Sequence, residues 1–135
     1  MIKDIIFISK DHIVYRTVVD NKTVYEMFEN KVFVSSVSFG NINKQYCINK
    51  IIPHTWENTR ALVLIALWHI KDDTLLTPDS IQDSETIDML TRLAKEKVFL
   101  LQEITAEPTF RYITDIDKAF ADIALNSTNI KTRVA

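Results

Sequence analysis

The sequence is nearly devoid of glycine, and it has little proline or cysteine. Of its 135 residues only Gly40 is glycine, and three are proline. A loop that cradles phosphate with its backbone needs several residues without a Cβ atom, so a glycine-rich nucleotide site is excluded. Cys47 is the single cysteine and cannot form a disulfide within the chain. Because this fits a reducing compartment, we expect a cytoplasmic location.

Long hydrophobic runs are also missing. The apolar run in residues 1–8 is short, is interrupted by Asp4 and is followed by no small-residue cleavage site, so it does not have the pattern of a signal peptide. The most apolar stretch, residues 61–70, is about half as long as a segment that crosses a bilayer. We therefore expect no association with a membrane.

The net charge is low and unevenly divided. The chain carries 16 Lys and Arg against 18 Asp and Glu, a formal charge of −2. Residues 1–53 hold 7 basic and 5 acidic side chains, a charge of +2, whereas residues 54–135 hold 9 and 13, a charge of −4. No overall basic field draws the chain to nucleic acid or to anionic lipid. The 47% apolar and 25% charged residues are typical of one globular domain, which we assign to residues 1–135.

The first 52 residues have the pattern of β-strands. Turn residues separate the apolar runs at 20–22, at 29–31 and at Gly40-Asn41. The runs between the turns are rich in Val, Ile, Tyr and Phe, which are favoured in strands. Short strands with turns at such regular spacing predict an antiparallel β-meander over residues 1–52.

Helical spacing begins after Pro53. Thr55 is suited to cap a helix over residues 56–71, and the apolar residues of this helix surround most of its circumference, which predicts a central, buried helix. Residues 74–76 predict a short extended segment, and residues 77–81 predict a helical turn that starts at Thr77-Pro78.

The last third of the chain predicts further helices and one hairpin, so that the fold class is α+β. The apolar positions in its helices recur every three or four residues. We expect these helices and the helix after Pro53 to share one core formed by Leu64, Leu67, Leu90, Leu93 and Phe120. The predicted elements are a helix from Asp83 or Ser84 to about residue 97, strands at 98–104 and 109–114 joined by a loop at 105–108, a helix over 115–125 and a polar tail over 126–135.

Residue patterns that support catalysis or metal binding are absent. His12, His54 and His69 lie far apart in sequence, and none has a Cys or carboxylate at the spacing of a metal site. Cys47 lies in a predicted strand and has the pattern of a core residue. We therefore expect neither an enzyme nor a protein that holds a metal or another cofactor.

Two segments carry a resemblance to a known family. The first, SETIDMLTRLAKEKVF at residues 84–99, resembles the recognition helix of a winged helix-turn-helix domain and the turn into its wing. The second, TFRYIT at residues 109–114, resembles the return strand of that wing. The preceding meander is similar to the response-regulator-type, OmpR/ToxR-like version of the family. This resemblance implies a winged-helix-like part over residues 53–125 and a transcriptional regulator that binds DNA.

The sequence departs from the family in three respects. Its second helix, at residues 78–82, is much shorter than usual, and Lys97 stands where glycine is common. Residues 54–135 are also acidic, whereas DNA binding draws much of its affinity from basic side chains that neutralise phosphates.

The predicted binding surface follows from the helix over residues 84–97. If Ile87, Leu90 and Ala94 of this helix face the core, its charged residues face outward. Basic side chains on this surface would contact DNA backbone or base edges. The predicted DNA- or partner-binding residues are Glu85, Asp88, Arg92, Lys95, Lys97 and Arg111.

Two further interpretations compete with DNA binding. The winged-helix-like fold could serve as a protein-binding module whose acidic helix face meets a basic partner. The chain could also be an unrelated α+β inhibitor or immunity-type protein. A homodimer through the meander or the last helix is compatible with the regulator interpretation.

Overall fold

The computed structural model describes residues 2–42, 45–70, 74–76, 83–96, 99–104 and 107–112. Strands dominate its first half, and helices and strands alternate in its second half. The elements in chain order are β1 (Ile2–Ile8), β2 (His12–Val19), β3 (Lys22–Glu29), β4 (Val32–Ile42), β5 (Gln45–Ile52), α1 (Trp56–Ile70), β6 (Thr74–Leu76), α2 (Ser84–Lys95), β7 (Phe99–Ile104) and β8 (Glu107–Tyr112).

The described strands form a single sheet in the order β1-β2-β3-β4-β5-β6-β8-β7. Strands β1 to β5 pair with their sequence neighbours in antiparallel fashion, which confirms the predicted meander and the α+β class. β5 pairs with β6 in parallel through Cys47 and Leu76, because α1 carries the chain back to the start of the next strand. β6 then pairs with β8, and β8 with β7.

Two-residue turns hold the centre of the meander in register. Asp20 and Asn21 connect β2 to β3, and Asn30 and Lys31 connect β3 to β4. Asp20, Asn30 and Lys31 have φ angles of 54°, 51° and 70°, the left-handed conformation that tight hairpin turns require. Asp and Asn tolerate this conformation better than most residues. These turns confirm the predicted ones.

The hydrophobic core lies between one face of the meander and α1. On the sheet side it contains the inward-pointing side chains of alternate strand positions, such as Val14, Met27 and Val37. All six residues from Leu62 to Leu67 are buried, as predicted for a central helix. The α1 helix begins after Thr55, whose Oγ1 accepts a 3.2 Å hydrogen bond from the backbone N–H of Asn58.

Helix α2 joins the same core, but it is rotated relative to the prediction. Leu90 and Leu93 are buried with Leu64 and Leu67, as expected. The assignment of Ile87 to the core is wrong, because this residue is 44% exposed. Thr86 is fully buried in its place, since its hydroxyl group is hydrogen-bonded to the backbone of β5. The side chains of Ala94 and Phe120 lie outside the described residues.

The hairpin is tighter than the sequence predicts. Ile104 pairs with Glu107, so the loop contains only residues 105–106 instead of 105–108. Pro108, which belongs to the predicted loop, instead pairs with Glu103. The described pairing of β6 with β8 runs from Thr109 to Arg111, so Pro108, which lacks a backbone N–H, lies just outside that ladder. The helical turn predicted at 77–81 and the helix at 115–125 lie outside the described residues.

The rotation of α2 predicts unequal effects of two alanine substitutions. Leu90→Ala should lower the free energy of unfolding by about 2–5 kcal/mol, because it leaves a cavity in the core. Ile87→Ala, on the exposed side of the same helix, should lower it by less than about 1 kcal/mol. Urea denaturation of both variants measures the difference, and equal losses would contradict the observed rotation.

Candidate functional site

The exposed face of α2 carries the charged side chains that the sequence singled out. Glu85, Asp88, Arg92 and Lys95 are all exposed, and their spacing of three or four residues places them along one side of the helix. The acidic pair lies in the N-terminal half and the basic pair in the last turn. This order suits the helix dipole, which favours anions at the start of a helix and cations at its end.

Thr86 fixes the position of α2 against the sheet. Its Oγ1 accepts a 3.0 Å hydrogen bond from the backbone N–H of Ile51 and lies 3.3 Å from the backbone oxygen of Ile51. Asp83 caps the helix, because its Oδ2 accepts hydrogen bonds from the backbone N–H and the hydroxyl of Thr86. The hydrogen bond from the Thr86 hydroxyl is the main reason why the pKa of the Asp83 carboxyl lies below its ordinary value.

Arg92 connects α2 to the start of α1. Its guanidinium carbon lies 4.1 Å from the centre of the Trp56 ring, in cation–π geometry. Such a contact at an exposed site contributes about 0.5–1 kcal/mol. The Trp56 ring therefore fixes the orientation of the Arg92 guanidinium. A polar ligand must either bind the guanidinium in this orientation or displace it from the ring.

The remaining predicted site residues are only partly placed. Lys97 lies outside the described residues. The backbone of Arg111 lies in β8, opposite Leu100 of β7 and Thr74 of β6, and its side chain is outside the described part of the structure. The structure thus brings Glu85, Asp88, Arg92 and Lys95 together on one helix face.

A second polar cluster, which the sequence did not reveal, lies at the start of α1. His12 Nε2 is 3.0 Å from Glu29 Oε2 and 3.1 Å from Asn58 Oδ1. The Asn58 amide nitrogen is 3.5 Å from Glu29 Oε1 and 3.0 Å from His54 Nδ1. Because both partners of His12 Nε2 are acceptors, this nitrogen carries a proton, whereas His54 Nδ1 accepts. The nearest sequence signal was the spacing of four residues between His54 and Asn58.

The third histidine belongs to the interior. His69 Nδ1 lies 2.9 Å from the hydroxyl of Tyr25, a side chain that is only 1% exposed. Burial raises the pKa of the Tyr25 hydroxyl well above its ordinary value, so Tyr25 is neutral and shares a hydrogen bond with His69. This pair accounts for the half-buried position of His69. Among the described residues, no group of three or more His, Cys, Asp or Glu side chains could hold a metal ion.

Comparison with protein-family models, with curated proteins and with solved structures finds no match to this chain. Within the described ranges, neither helix is long and apolar enough to cross a membrane.

The hydroxyl of Thr86 gives a prediction about stability. Thr86→Val keeps the shape of the side chain but leaves the Ile51 N–H without its partner, which should lower the free energy of unfolding by about 1–3 kcal/mol. Thr86→Ser retains the hydroxyl and should lose less. Chemical denaturation of the two variants tests this, and equal losses would show that packing and not hydrogen bonding holds α2.

The pKa of Asp83 gives a prediction about pH. Because its pKa is lowered in the folded protein, the ionised carboxylate stabilises the fold above the ordinary carboxyl pKa. This stabilisation is lost as the pH falls through the lowered folded pKa. The free energy of unfolding of Asp83→Asn should therefore depend less on pH across this acid range than that of the wild type. A series of denaturation curves in acid measures this, and parallel pH profiles would contradict it.

Proposed function

We propose that this protein is a DNA-binding regulator of the winged-helix type. The observation that carries the proposal is the strand order β6-β8-β7 beside α2. The short strand between the two helices pairs with the return strand of the hairpin, and α2 contacts β5 and β7. A helix with an exposed charged face and a hairpin next to it are the two elements with which a winged helix contacts DNA. This support comes from the fold, so the chemistry of the helix face needs its own argument.

Arg92 and Lys95 are the basic side chains on the described part of α2 that could bind phosphate. Lys95 is exposed in the last turn of the helix. The contact of Arg92 with Trp56 contributes about 0.5–1 kcal/mol. A hydrogen bond to a charged group contributes about 1.5–3 kcal/mol, so a phosphate would outcompete the ring. The same ring holds the guanidinium near the helix surface before DNA arrives.

Glu85 and Asp88 would act differently from the basic pair. Their carboxylates repel phosphates, but they can accept hydrogen bonds from the N4 amino group of cytosine in the major groove. Because these acidic residues lie in the first half of α2, that half would contact bases. The basic residues in the last turn would contact the phosphate backbone of DNA. Binding to arbitrary sequences would then be detected at low salt and lost as salt rises, because few phosphates are neutralised.

A second candidate function is a protein-binding module, and two observations favour it. Ile87 is 44% exposed next to the exposed Asp88, so that an apolar side chain on α2 reaches solvent beside an acidic group. Arg92 is already engaged by Trp56. An apolar contact with acidic neighbours suits a basic protein partner, whose charges would steer association.

Salt-dependent titration tests the DNA-binding proposal. Each phosphate contact contributes about 0.9 to the slope of log affinity against log salt on duplex DNA. The double substitution Arg92→Ala, Lys95→Ala should weaken binding to a mixed-sequence duplex and flatten this slope by roughly two units. Fluorescence anisotropy from about 50 mM salt upward measures both quantities.

The matched control removes the same charge from a different surface. Lys10 and Lys31 are exposed in the turns after β1 and β3, and their double alanine variant should keep the wild-type slope. Absence of wild-type binding at about 50 mM salt would refute the DNA-binding proposal. The protein-binding candidate predicts instead a stable complex that is lost in a Glu85→Lys, Asp88→Lys variant.

A further inference from the structure

Carboxylates lie within helical reach of Arg92, yet its side chain pairs with none of them. Asp88 precedes Arg92 by four residues on α2, the spacing at which an aspartate and an arginine attract each other. Glu96 follows it by four residues, and all three side chains are exposed. No ion pair among the described residues involves Arg92. Another contact therefore determines where its guanidinium lies.

That contact is the ring of Trp56 at the start of α1. The guanidinium carbon of Arg92 lies 4.1 Å from the centre of the ring. Trp56 is partly buried and packs against the hydrophobic core, so the position of its ring does not depend on Arg92. A fixed ring beside an exposed arginine restricts the rotamers of the arginine before a ligand binds, which reduces the entropy lost on binding.

The ring orients Arg92 without occupying its hydrogen-bonding groups. A cation–π contact acts through the face of the ring on the delocalised charge of the guanidinium. The five N–H donors of an arginine lie in the guanidinium plane, and their geometry matches a phosphate. Within the described ranges, the Arg92 side chain makes no hydrogen bond. These donors are therefore available to a ligand.

Loss of the ring would bring Arg92 under the influence of Asp88. An aspartate and an arginine at this spacing stabilise a helix by pairing. A guanidinium that is paired with a carboxylate has fewer donors and less charge to offer a phosphate. Arg92 and Lys95 are the basic side chains on the described part of α2, so such a pair would neutralise one of the two.

We propose that Trp56 is a positioning residue of the DNA-binding surface. Its ring keeps Arg92 away from Asp88 and presents the guanidinium N–H groups to a phosphate of the DNA backbone. This inference rests on the proposed function, and it adds a residue of α1 to a surface assigned to α2 and the hairpin. The phosphate has no need to break the contact with the ring, because the two use different parts of the guanidinium.

Removal of the ring tests this role. Trp56→Leu should weaken binding to a mixed-sequence duplex at about 50 mM salt by about two- to fivefold, the range that corresponds to an exposed cation–π contact. Trp56→Phe keeps an aromatic face and should recover most of the affinity. In an Arg92→Ala background, Trp56→Leu should have almost no further effect on affinity, because the ring acts through Arg92.

The matched control removes the ring of a second cation–π pair. Lys3 Nζ lies 4.6 Å from the centre of the Tyr15 ring, and both residues belong to the meander. Tyr15→Leu should therefore leave the affinity for the duplex unchanged. Because Trp56 also packs against the core, circular dichroism and thermal melting must show that Trp56→Leu is folded at the assay temperature.

A measurement on the wild type does not depend on the folding of any variant. Nuclear Overhauser effects between the Hδ protons of Arg92 and the ring protons of Trp56 should be present in the free protein. They should persist after the duplex is added, because the phosphate binds the guanidinium in its existing orientation. Their loss in the complex would show that phosphate displaces Arg92 from the ring, which overturns the proposal.

The remaining outcomes separate this role of Trp56 from the proposed function. A wild type that does not bind the duplex at about 50 mM salt refutes both. If the wild type binds and folded Trp56→Leu binds equally well or more tightly, the role of Trp56 is wrong and the DNA-binding proposal stands. An equal loss from Trp56→Leu with and without Arg92 also overturns it, since the ring would then act through the fold and not through Arg92.

Discussion

The structure depends on how the backbone hydrogen-bonding groups at the outer edge of β5 find partners. β5 pairs with β4 along its length, whereas its pairing with the described residues of β6 is at Cys47, so the buried backbone near the end of β5 needs another partner. The hydroxyl of Thr86 accepts a hydrogen bond from the N–H of Ile51 and donates its proton to Asp83, which caps α2. This contact replaces a missing strand, and it determines which side of α2 is buried and which charges face solvent.

The sequence predicted those features that depend on local chemistry. The meander, its tight turns at Asp20 and Asn30, and the buried α1 follow from alternation, turn residues and a helix that is apolar all round. The rotation of α2 could not be predicted in this way. Ile87 and Thr86 are one residue apart, or about 100° around the helix, and hydrophobicity alone favours Ile87 for the core. Only the strand edge at Ile51 reverses this choice.

Contacts between distant segments explain why the polar clusters were missed. His12 and Asn58 are 46 residues apart in sequence, yet they meet because β2 begins beside the start of α1. The cation–π contact of Arg92 with Trp56 likewise joins two helices. The sequence identified Arg92 as an outward charge, but it could not show that an aromatic ring holds the guanidinium. Such pairs depend on the topology, which no single-residue pattern encodes.

The charges on α2 limit how this helix could bind a partner. Leu90 and Leu93 share the core of α1, so α2 lies on the α1 side of the sheet with Glu85, Asp88, Arg92 and Lys95 exposed to solvent. Arg92 and Lys95 are the basic side chains on the described part of this face, so a DNA complex would neutralise few phosphates through it. Its specificity would then depend on contacts with base edges, because phosphate contacts carry no sequence information directly. A basic protein partner would instead use Glu85 and Asp88, so the two proposed functions depend on opposite halves of the same helix.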